Sequence, residues 1–411
     1  MKKTVAWILV HVVCFAAVLA LAPVVVKASD HADPVVLENP ESNITGLFFF
    51  PKGDQMVVIF NVRRALTAPK PYKDLEPIEF VVHMDLHSPV SFSDASDLAH
   101  YGGTVTNPEG LKSDVTIKVH LNEDATLKSG YPSFEGLKNP ESIRVFAGVR
   151  DDPFIFPRFF KKNVISMVMS IPMSSFPDGQ KDWILWGSTY KDGVQLDHVG
   201  RSNRSQLARF DSLNPLPPTE HVAEIMKLMA STNGLYTVLN KYKQTKAIAG
   251  LVQYVLQIRQ YDVATDVMIY TDRFPPGFPN GRRLTDDIVG LTCATGDCIL
   301  QELAYVEGKV DKGYPRQLVN DKPFLDDFPY VGEPFPDSPE AAPPANVFSI
   351  GFVMDIVGVL PEAMRLGVQF VGLAVIMTLL IGIPIGSWAV IQFLVFLIRK
   401  VARRTRRPAM A

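Results

Sequence analysis

The sequence predicts a mainly β protein, an antiparallel sandwich-like domain with a helical insertion and one C-terminal transmembrane helix. Three observations predict this fold class. Short apolar runs alternate with turn residues, prolines (32) outnumber glycines (27) among plentiful aromatic residues, and a long stretch near the C-terminus carries no charge. With 411 residues, 47% of them hydrophobic, the chain can bury one large core or two ordinary ones.

The β-prone runs begin near residue 46. Residues 46–50 and 56–62, GLFFF and MVVIFNV, flank a Lys-Gly-Asp turn, a pattern typical of a β-hairpin. Further strands are predicted at 78–86, 115–121, 142–149, 164–171, 183–188 and 267–270. The spacing of these short strands favours two packed antiparallel sheets.

The pattern changes between residues 218 and 260, where apolar residues recur at helical spacing. Residues 231–234, Ser-Thr-Asn-Gly, interrupt this pattern, so we expect an insertion of two or three helices. Farther on, residues 321–344 are rich in proline, acidic and aromatic residues. We expect that segment to run along the domain as a wall or linker.

The N-terminal residues 1–28 have the features of a signal peptide. Lys2 and Lys3 precede an apolar run, and small residues end it at Ala28, so the mature chain is expected to start at Ser29. An uncleaved anchor helix is the alternative. Residues 29–345 then form the main β-rich domain.

Residues 366–398 contain no charged side chain, and a membrane span needs about 20 apolar residues. They predict a transmembrane helix, preceded by a juxtamembrane segment at 346–365. The tail 399–411 carries six Lys and Arg residues directly after the predicted helix. By the positive-inside rule, this cluster predicts that the tail is cytoplasmic. The main domain is therefore expected in the periplasm or outside the cell, with the lipid bilayer as neighbour; the alternative is a buried helix hairpin.

Charge and cysteine content exclude some classes of function. A formal net charge of −2 argues against a nucleic-acid-binding protein, which would carry a basic domain. Cys14 lies in the signal segment, so Cys293 and Cys298 are the only pair in the mature chain and are the candidate disulfide.

The central motif is FAGVRDDPFIFPRFF at 146–160. Arg150, Asp151 and Asp152 precede Pro153, which disfavours the α region, so the polar group predicts a turn and the aromatic run a buried strand. A second motif, FPNGRRLTDDIVG at 278–290, repeats the combination; its arginines are Arg282 and Arg283, and its aspartates are Asp286 and Asp287.

Two interpretations of these paired aspartates remain open. Their oxygens are hard ligands of the kind that Ca²⁺ prefers. The neighbouring arginines favour the other interpretation, a structural ion-pair network that pins loops at one end of the sandwich.

The sequence VHMDLH holds a possible metal site. His83, Asp85 and His87 alternate, and alternate side chains of a strand share a face, so all three can converge on one ion. Two imidazoles and a carboxylate suit a divalent metal ion such as iron, zinc or copper. The alternative is a solvated polar strand face that ends in a turn.

Two weaker candidates remain. The loop LDHVGRSNRS at 196–205 offers His198, Arg201 and Arg204 to an anion, or forms a solvated turn. Trp183, Trp186 and Tyr190 form either a carbohydrate platform or part of the core, and such aromatic residues are more often core. The chain contains none of the nucleophile-elbow, zinc-protease, phosphate-loop or dinucleotide-binding motifs.

Taken together, the motifs resemble the DUF4331 family of bacterial secreted proteins. Four segments carry the resemblance: SDHADP with SNITGLFFF, AGVRDDPFIF, LDHVGRSNRS and FPNGRRLTDDIVG. Asn43 and Gly46 stand where the family pattern often has aspartates, and Ser202 stands where proline is usual, which weakens any ion site built on them. The family has no established activity, so the resemblance implies a bacterial, secreted compartment, an inner-membrane anchor and a fold.

The leading functional hypothesis is a membrane-anchored periplasmic accessory or interaction protein at the bacterial inner membrane, and not an enzyme. Gly372, Gly382, Gly386 and Ser387 give the predicted transmembrane helix small-residue surfaces for an inner-membrane protein partner. One alternative is a metal-binding or metal-dependent enzyme domain that uses His83, Asp85 and His87 or the paired aspartates. A weaker alternative is a module that binds a carbohydrate or another small ligand.

Overall fold

The computed structural model describes residues 41–63, 72–156, 159–202, 204, 208–240, 258–298 and 318–336. In chain order the elements within these ranges are β1 (Ile44–Lys52), β2 (Gln55–Val62), β3 (Ile78–Asp85), β4 (Val90–Ser91), α1 (Ala95–Tyr101), β5 (Thr104–Val105), β6 (Val115–Val119), β7 (Ser133–Glu135), β8 (Arg144–Asp151), β9 (Asn163–Pro172), β10 (Asp182–Lys191), β11 (Val194–Val199), α2 (Pro218–Asn240), β12 (Met268–Thr271) and α3 (Ile288–Ala294).

Two antiparallel sheets form the body of the described chain. The first sheet has the order β1-β2-β9-β8, and the second has the order β11-β10-β3-β6-β7, with β12 also paired to β10. Side chains of both sheets, such as Phe49 and Met167 from the first and Phe80 and Trp183 from the second, share one buried cluster. This shared cluster is the core of a β sandwich, as the spacing of the apolar runs predicts.

Three strands of the first sheet, β1, β2 and β9, are buried on both faces. Phe49 points to the shared core, whereas its neighbours Phe48 and Phe50 belong to a second cluster on the outer face. A strand covered on both sides needs apolar residues at every position, not at alternate ones. This explains the unbroken runs GLFFF and MVVIF, which form the predicted hairpin through a turn at Gly53 (φ +63°).

The outer face of the first sheet is covered by the segment 318–336, here called the strap. Tyr330 and Val331 of the strap are buried against this face, and Phe324 and Phe328 pack beside them. Lys52 at the end of β1 donates to the carbonyl of Asp326, and its ammonium lies 4.3 Å from the ring centre of Tyr330. The part of the predicted wall or linker that the structure describes does run along the domain.

Each of the two short helices has a side-chain cap. Asp94 accepts hydrogen bonds from the first-turn amides of α1, and Gly102 (φ +76°) ends that helix in the left-handed conformation. Asp287 caps α3 in the same way by accepting from the amide of Gly290.

The predicted fold class was wrong in one respect, its transmembrane helix. In the described ranges, no helix is long and apolar enough to cross a membrane. The longest, α2, carries the charged residues Glu220, Glu224 and Lys227 in its first half. The predicted signal peptide (1–28), juxtamembrane segment (346–365), span (366–398) and tail (399–411) lie outside the described residues.

Two local predictions also change. Arg150 and Asp151 end β8 and do not form a turn, because their register with β9 continues to Asn163. The following run is buried as predicted, with Phe154 and Phe156 at 2% exposure or less, but those residues form no strand. Of the predicted helical insertion, the structure describes α2 and residues 258–260; residues 241–257 lie outside it.

Candidate functional site

The structure does not bring the three predicted metal ligands together. Ring Nδ1 of His83 lies 3.0 Å from Ser113 Oγ, and the ring stacks on Trp186 with a centroid distance of 5.1 Å. Burial lowers the pKa of His83 to about 4, and the charges of His198 and Lys118 act in the same direction. His83 is therefore a neutral, packed side chain at physiological pH.

Asp85 and His87 serve the turn that follows β3. Asp85 accepts hydrogen bonds from the amides of His87 (3.0 Å), Ser88 (2.7 Å) and Lys112 (2.8 Å). His87 is exposed, and its Nδ1 lies 2.8 Å from Asp114 Oδ2. In the described ranges, no group of three or more His, Cys, Asp or Glu residues is placed to hold a metal ion.

The central motif lies where β8 meets the strap. Asp151 is fully buried; its amide donates to the carbonyl of Gly332 (3.2 Å), and its Oδ2 accepts from Asn320 Nδ2 (2.6 Å). Burial raises the pKa of Asp151 to about 7, against the opposing effect of the Asn320 hydrogen bond. Arg150 pairs with Glu333 of the strap at 2.6 Å and not with its own neighbouring aspartates.

Asp152 turns the chain after β8. Its Oδ1 accepts from the amide of Phe154 (3.0 Å), and its own amide donates to the carbonyl of Lys162 (3.0 Å). Asp151 thus contacts the strap, whereas Asp152 holds the backbone at the start of the aromatic run.

In the second motif, Asp286 accepts hydrogen bonds from two backbone amides and from the Arg283 side chain. Its Oδ2 accepts from the amides of Phe278 (2.9 Å) and Arg283 (2.8 Å), and its Oδ1 accepts from Nε (3.0 Å) and Nη2 (2.8 Å) of Arg283. This Arg283–Asp286 pair is the ion pair that the sequence interpretation favoured.

Arg282 is nearly inaccessible to solvent, with 1% exposure. Its guanidinium lies over Phe48 (3.9 Å to the ring centre) and Phe154 (4.7 Å), and Nη1 donates to Ser202 Oγ (2.5 Å). Contact with Phe154 joins the second motif directly to the first, through cation–π packing.

Asp287 joins the second motif to the strap. Besides capping α3, it accepts from the amide of Leu318, the first described strap residue, at 2.7 Å. Burial raises the pKa of Asp287, while hydrogen bonds from Gly290, Leu318 and Val289 oppose that effect. Asp287 and Asp151 therefore hold Leu318 and Asn320, two residues apart, so that both motifs anchor the beginning of the strap.

A second buried polar cluster surrounds the loop LDHVGRSNRS. His198 Nε2 lies 2.8 Å from the carbonyl oxygen of Asp266 and 3.4 Å from its carboxylate, which also accepts from the amides of Gly200 and Arg201. Burial alone would raise the pKa of Asp266, but the hydrogen bond and charge of His198, with the charges of Arg204 and His221, lower it below its usual range.

His221 completes this cluster and accepts a hydrogen bond from the amide of Asp266 (3.2 Å) through Nδ1. Burial lowers the pKa of His221 to about 3, and the charge of His198 lowers it further. His198, His221 and Asp266 all have 0% exposure. Because none of them reaches solvent, they hold loops together and do not meet a dissolved substrate.

Arg201 and Arg204 line a pocket beside this cluster. Both guanidiniums lie over Tyr101, at 5.1 and 4.7 Å from the ring centre, and the Tyr101 hydroxyl donates to Asp262 (3.2 Å). Arg201 donates to the carbonyl of His100, and Arg204 donates to that of Asp262. The space in this pocket that is open to the centre of a water molecule is about 20 Å³, enough for roughly one water.

The remaining candidates also have structural surroundings. Cys293 and Cys298 form a disulfide that closes the end of α3. Trp183 is fully buried in the shared core, and Trp186 is 7% exposed, so the pair does not form an exposed platform.

In comparisons with known proteins, no protein-family model matches the chain, and no curated protein is significantly similar to it. The resemblance to DUF4331 therefore stays an expectation. No sequence motif marks the residues that complete the buried cluster, Asp262, Asp266 and His221. The strap contacts of Asp151 and Asp287 link residues far apart in the chain, and no local signal indicates them.

Proposed function

We propose that this protein is a non-catalytic accessory protein outside the cytoplasm that binds another protein through the exposed edge of its first sheet. The observation that carries the proposal is the strand β8. It pairs with β9 on one side, and no strand in the described ranges pairs with its other side. A free strand edge is a template for an incoming strand.

The side chains that suggest chemistry are already used inside the molecule. Asp85 organises a turn, Asp286 pairs with Arg283, and Asp287 caps a helix. Carboxylates that accept several internal hydrogen bonds are supports and not free acids or bases. This favours binding over catalysis.

The two edges of the first sheet differ. At one edge, β1 is buried along Ile44–Phe50 and exchanges backbone hydrogen bonds with Arg282. At the other, every residue of β8 from Arg144 to Arg150 retains solvent exposure. The five central residues of β8, Val145 to Val149, include no charge and no proline, the usual protections of an edge.

The outward backbone groups of β8 follow from its register. Asp151 directs its amide away from β9, to Gly332. Backbone direction alternates along an antiparallel strand, and the β8–β9 register has no shift. Val145, Ala147 and Val149 therefore present their N–H and C=O groups at the open edge, while their side chains pack into the core.

The side chains beside this edge indicate the chemistry of the partner. Arg144 and Arg150 lie on the outer face at either end of the strand, on both sides of Phe146. Arg150 is already paired with Glu333, whereas Arg144 is exposed. An extended partner segment with an acidic residue beside Arg144 and an apolar residue beside Phe146 complements this pattern.

Support for a location outside the cytoplasm comes from the Cys293–Cys298 disulfide, because structural disulfides persist in oxidising compartments. It agrees with the signal-peptide features of residues 1–28.

Site-specific photo-crosslinking in cells tests the proposal. A photoreactive amino acid at position 142, an exposed residue just before β8, leaves Arg144 in place and is expected to capture one protein through an extended acidic segment, mapped by mass spectrometry. The same group at Val194 in β11, which is 62% exposed on the other sheet, is the matched control and is expected not to capture that protein.

The substitution Ala147→Pro sharpens this test. It removes an outward N–H without removing a bond to β9, so the fold is expected to survive while the crosslink at position 142 is lost. Circular dichroism checks the fold. A crosslink that persists in Ala147→Pro, or that forms equally from Val194, contradicts the proposal.

A further inference from the structure

We propose that a proton on Asp151 fastens the strap to the end of β8, so that the strap detaches more readily as the pH rises from acidic to neutral. This inference is independent of the β8 edge as a docking surface, since it concerns the attachment of a segment of the same chain.

The geometry around Asp151 favours the protonated form of its carboxyl group. Asp151 Oδ2 accepts from Asn320, but Asp151 Oδ1 and Asn320 Oδ1 are both buried and have no hydrogen-bond donor in the described part of the chain. An ionised carboxylate with an unpaired buried oxygen is costly. A carboxylic acid supplies the missing donor, because its O–H can be directed to an amide oxygen.

The charges that face Asp151 have opposing effects. Asp152 follows it on the same strand, and the strap contributes Asp321 and Lys322. The two aspartates raise the pKa of Asp151 and the lysine lowers it, while Lys161 lies beside Asp321. Arg150 is paired with Glu333 at 2.6 Å.

The sign of the pH effect follows from the pKa values. In the docked state the pKa of Asp151 is raised, chiefly by burial, from 3.8 to about 7. A group whose pKa is raised in the docked state contributes stability that is complete below pH 4. That contribution is lost as the pH rises through 7, and above that value no further loss occurs.

Detachment would uncover a large apolar surface. The strap covers Phe48, Phe50 and Ile59 on the outer face of the first sheet. Contacts at its two ends include those of Leu318 with Asp287, Asn320 with Asp151, Glu333 with Arg150, and Phe335 with Asn163. The Asp151 carboxyl contacts Asn320, and the Asp151 amide bonds to Gly332, so ionisation of the carboxyl acts directly on the Asn320 end of the strap.

Hydrogen exchange of the full-length protein, corrected for the intrinsic pH dependence of amide exchange, tests the proposal. Strap opening, read from peptides of residues 318–336, is expected to increase by up to tenfold per pH unit between pH 4 and 7, and then to level off. No change in strap opening over this range overturns the proposal, whatever any variant does.

Matched variants locate the proton. Asp151→Asn supplies a permanent donor and is expected to remove most of the pH slope, whereas Asp321→Asn removes only a smaller part. Asp327→Asn, at an exposed strap position, is the control and is expected to keep the full slope. A full slope in Asp151→Asn, or strap protection at pH 7.5 that rises with added Ca²⁺ and falls with a chelator, overturns the proposal; the second result would assign the site to a cation.

Discussion

The two Arg/Asp-Asp motifs have nearly the same composition and use it in different ways. In the second motif, Asp286 accepts from backbone amides and from the Arg283 side chain, and Asp287 accepts from the amides of Gly290 and Leu318, so each carboxylate has several donors. In the first, Asp151 is buried with one oxygen lacking a donor in the described chain. The difference teaches that an arginine next to an aspartate in sequence does not neutralise it; Arg150 bonds to Glu333 instead.

The substitution with the largest expected effect is Asp286→Ala. It leaves the partly buried amides of Phe278 and Arg283, and the Arg283 guanidinium, without their acceptor, so we expect a loss of about 3 kcal/mol in the free energy of unfolding. Urea denaturation at pH 7 measures it, with Asp286→Asn as a milder control. A loss below about 1 kcal/mol would remove the contrast between the motifs.

A smaller effect is expected from Asp287→Ala, which removes the cap of α3 and the acceptor for Leu318. Loss of a helix cap costs about 1 kcal/mol, and the second lost acceptor brings the total to about 2 kcal/mol. Asp287→Asn keeps a capping oxygen and is expected to cost less. Hydrogen exchange of the strap near Leu318 should increase in Asp287→Ala; unchanged exchange there would contradict the assigned link.

The smallest effect is expected from Arg283→Gln. The Arg283 side chain is about half exposed, so its ion pair with Asp286 is screened by solvent and is worth roughly 0.5 kcal/mol. Measuring the free energy of unfolding of both proteins at low and at high salt separates the contribution of the charge from that of side-chain packing. A cost as large as that of Asp286→Ala would mean that the guanidinium, and not the backbone, stabilises this loop.

Much of the fold is predictable because burial on both faces leaves a strong local pattern. Runs such as MVVIF and VISMVM are short and rich in β-branched residues, which favours strands of a sheet that is covered on both faces. The site is less predictable. His83 and Asp85 do alternate on β3, but the strand ends at Asp85, and the turn takes His87 away to Asp114.

The strap contacts and the buried histidine cluster depend on distances along the chain that no local pattern encodes. Asp151 and Asn320 are 169 residues apart, and Gly200 and Asp266 are 66 apart. Polar residues of this kind look alike in sequence whether they are solvated or buried, so only the tertiary fold reveals their partners.

The position of Arg282 has a consequence for how the chain folds. Its side chain contacts Phe48 and Phe154, and its backbone pairs with Phe49, so the first sheet gains this support only after most of the chain has emerged. Contacts between such distant residues slow folding, because the intervening loops must close first. Until then the aromatic face of β1 stays open to other unfolded chains, so nascent molecules are prone to aggregate before residue 282 has been synthesised.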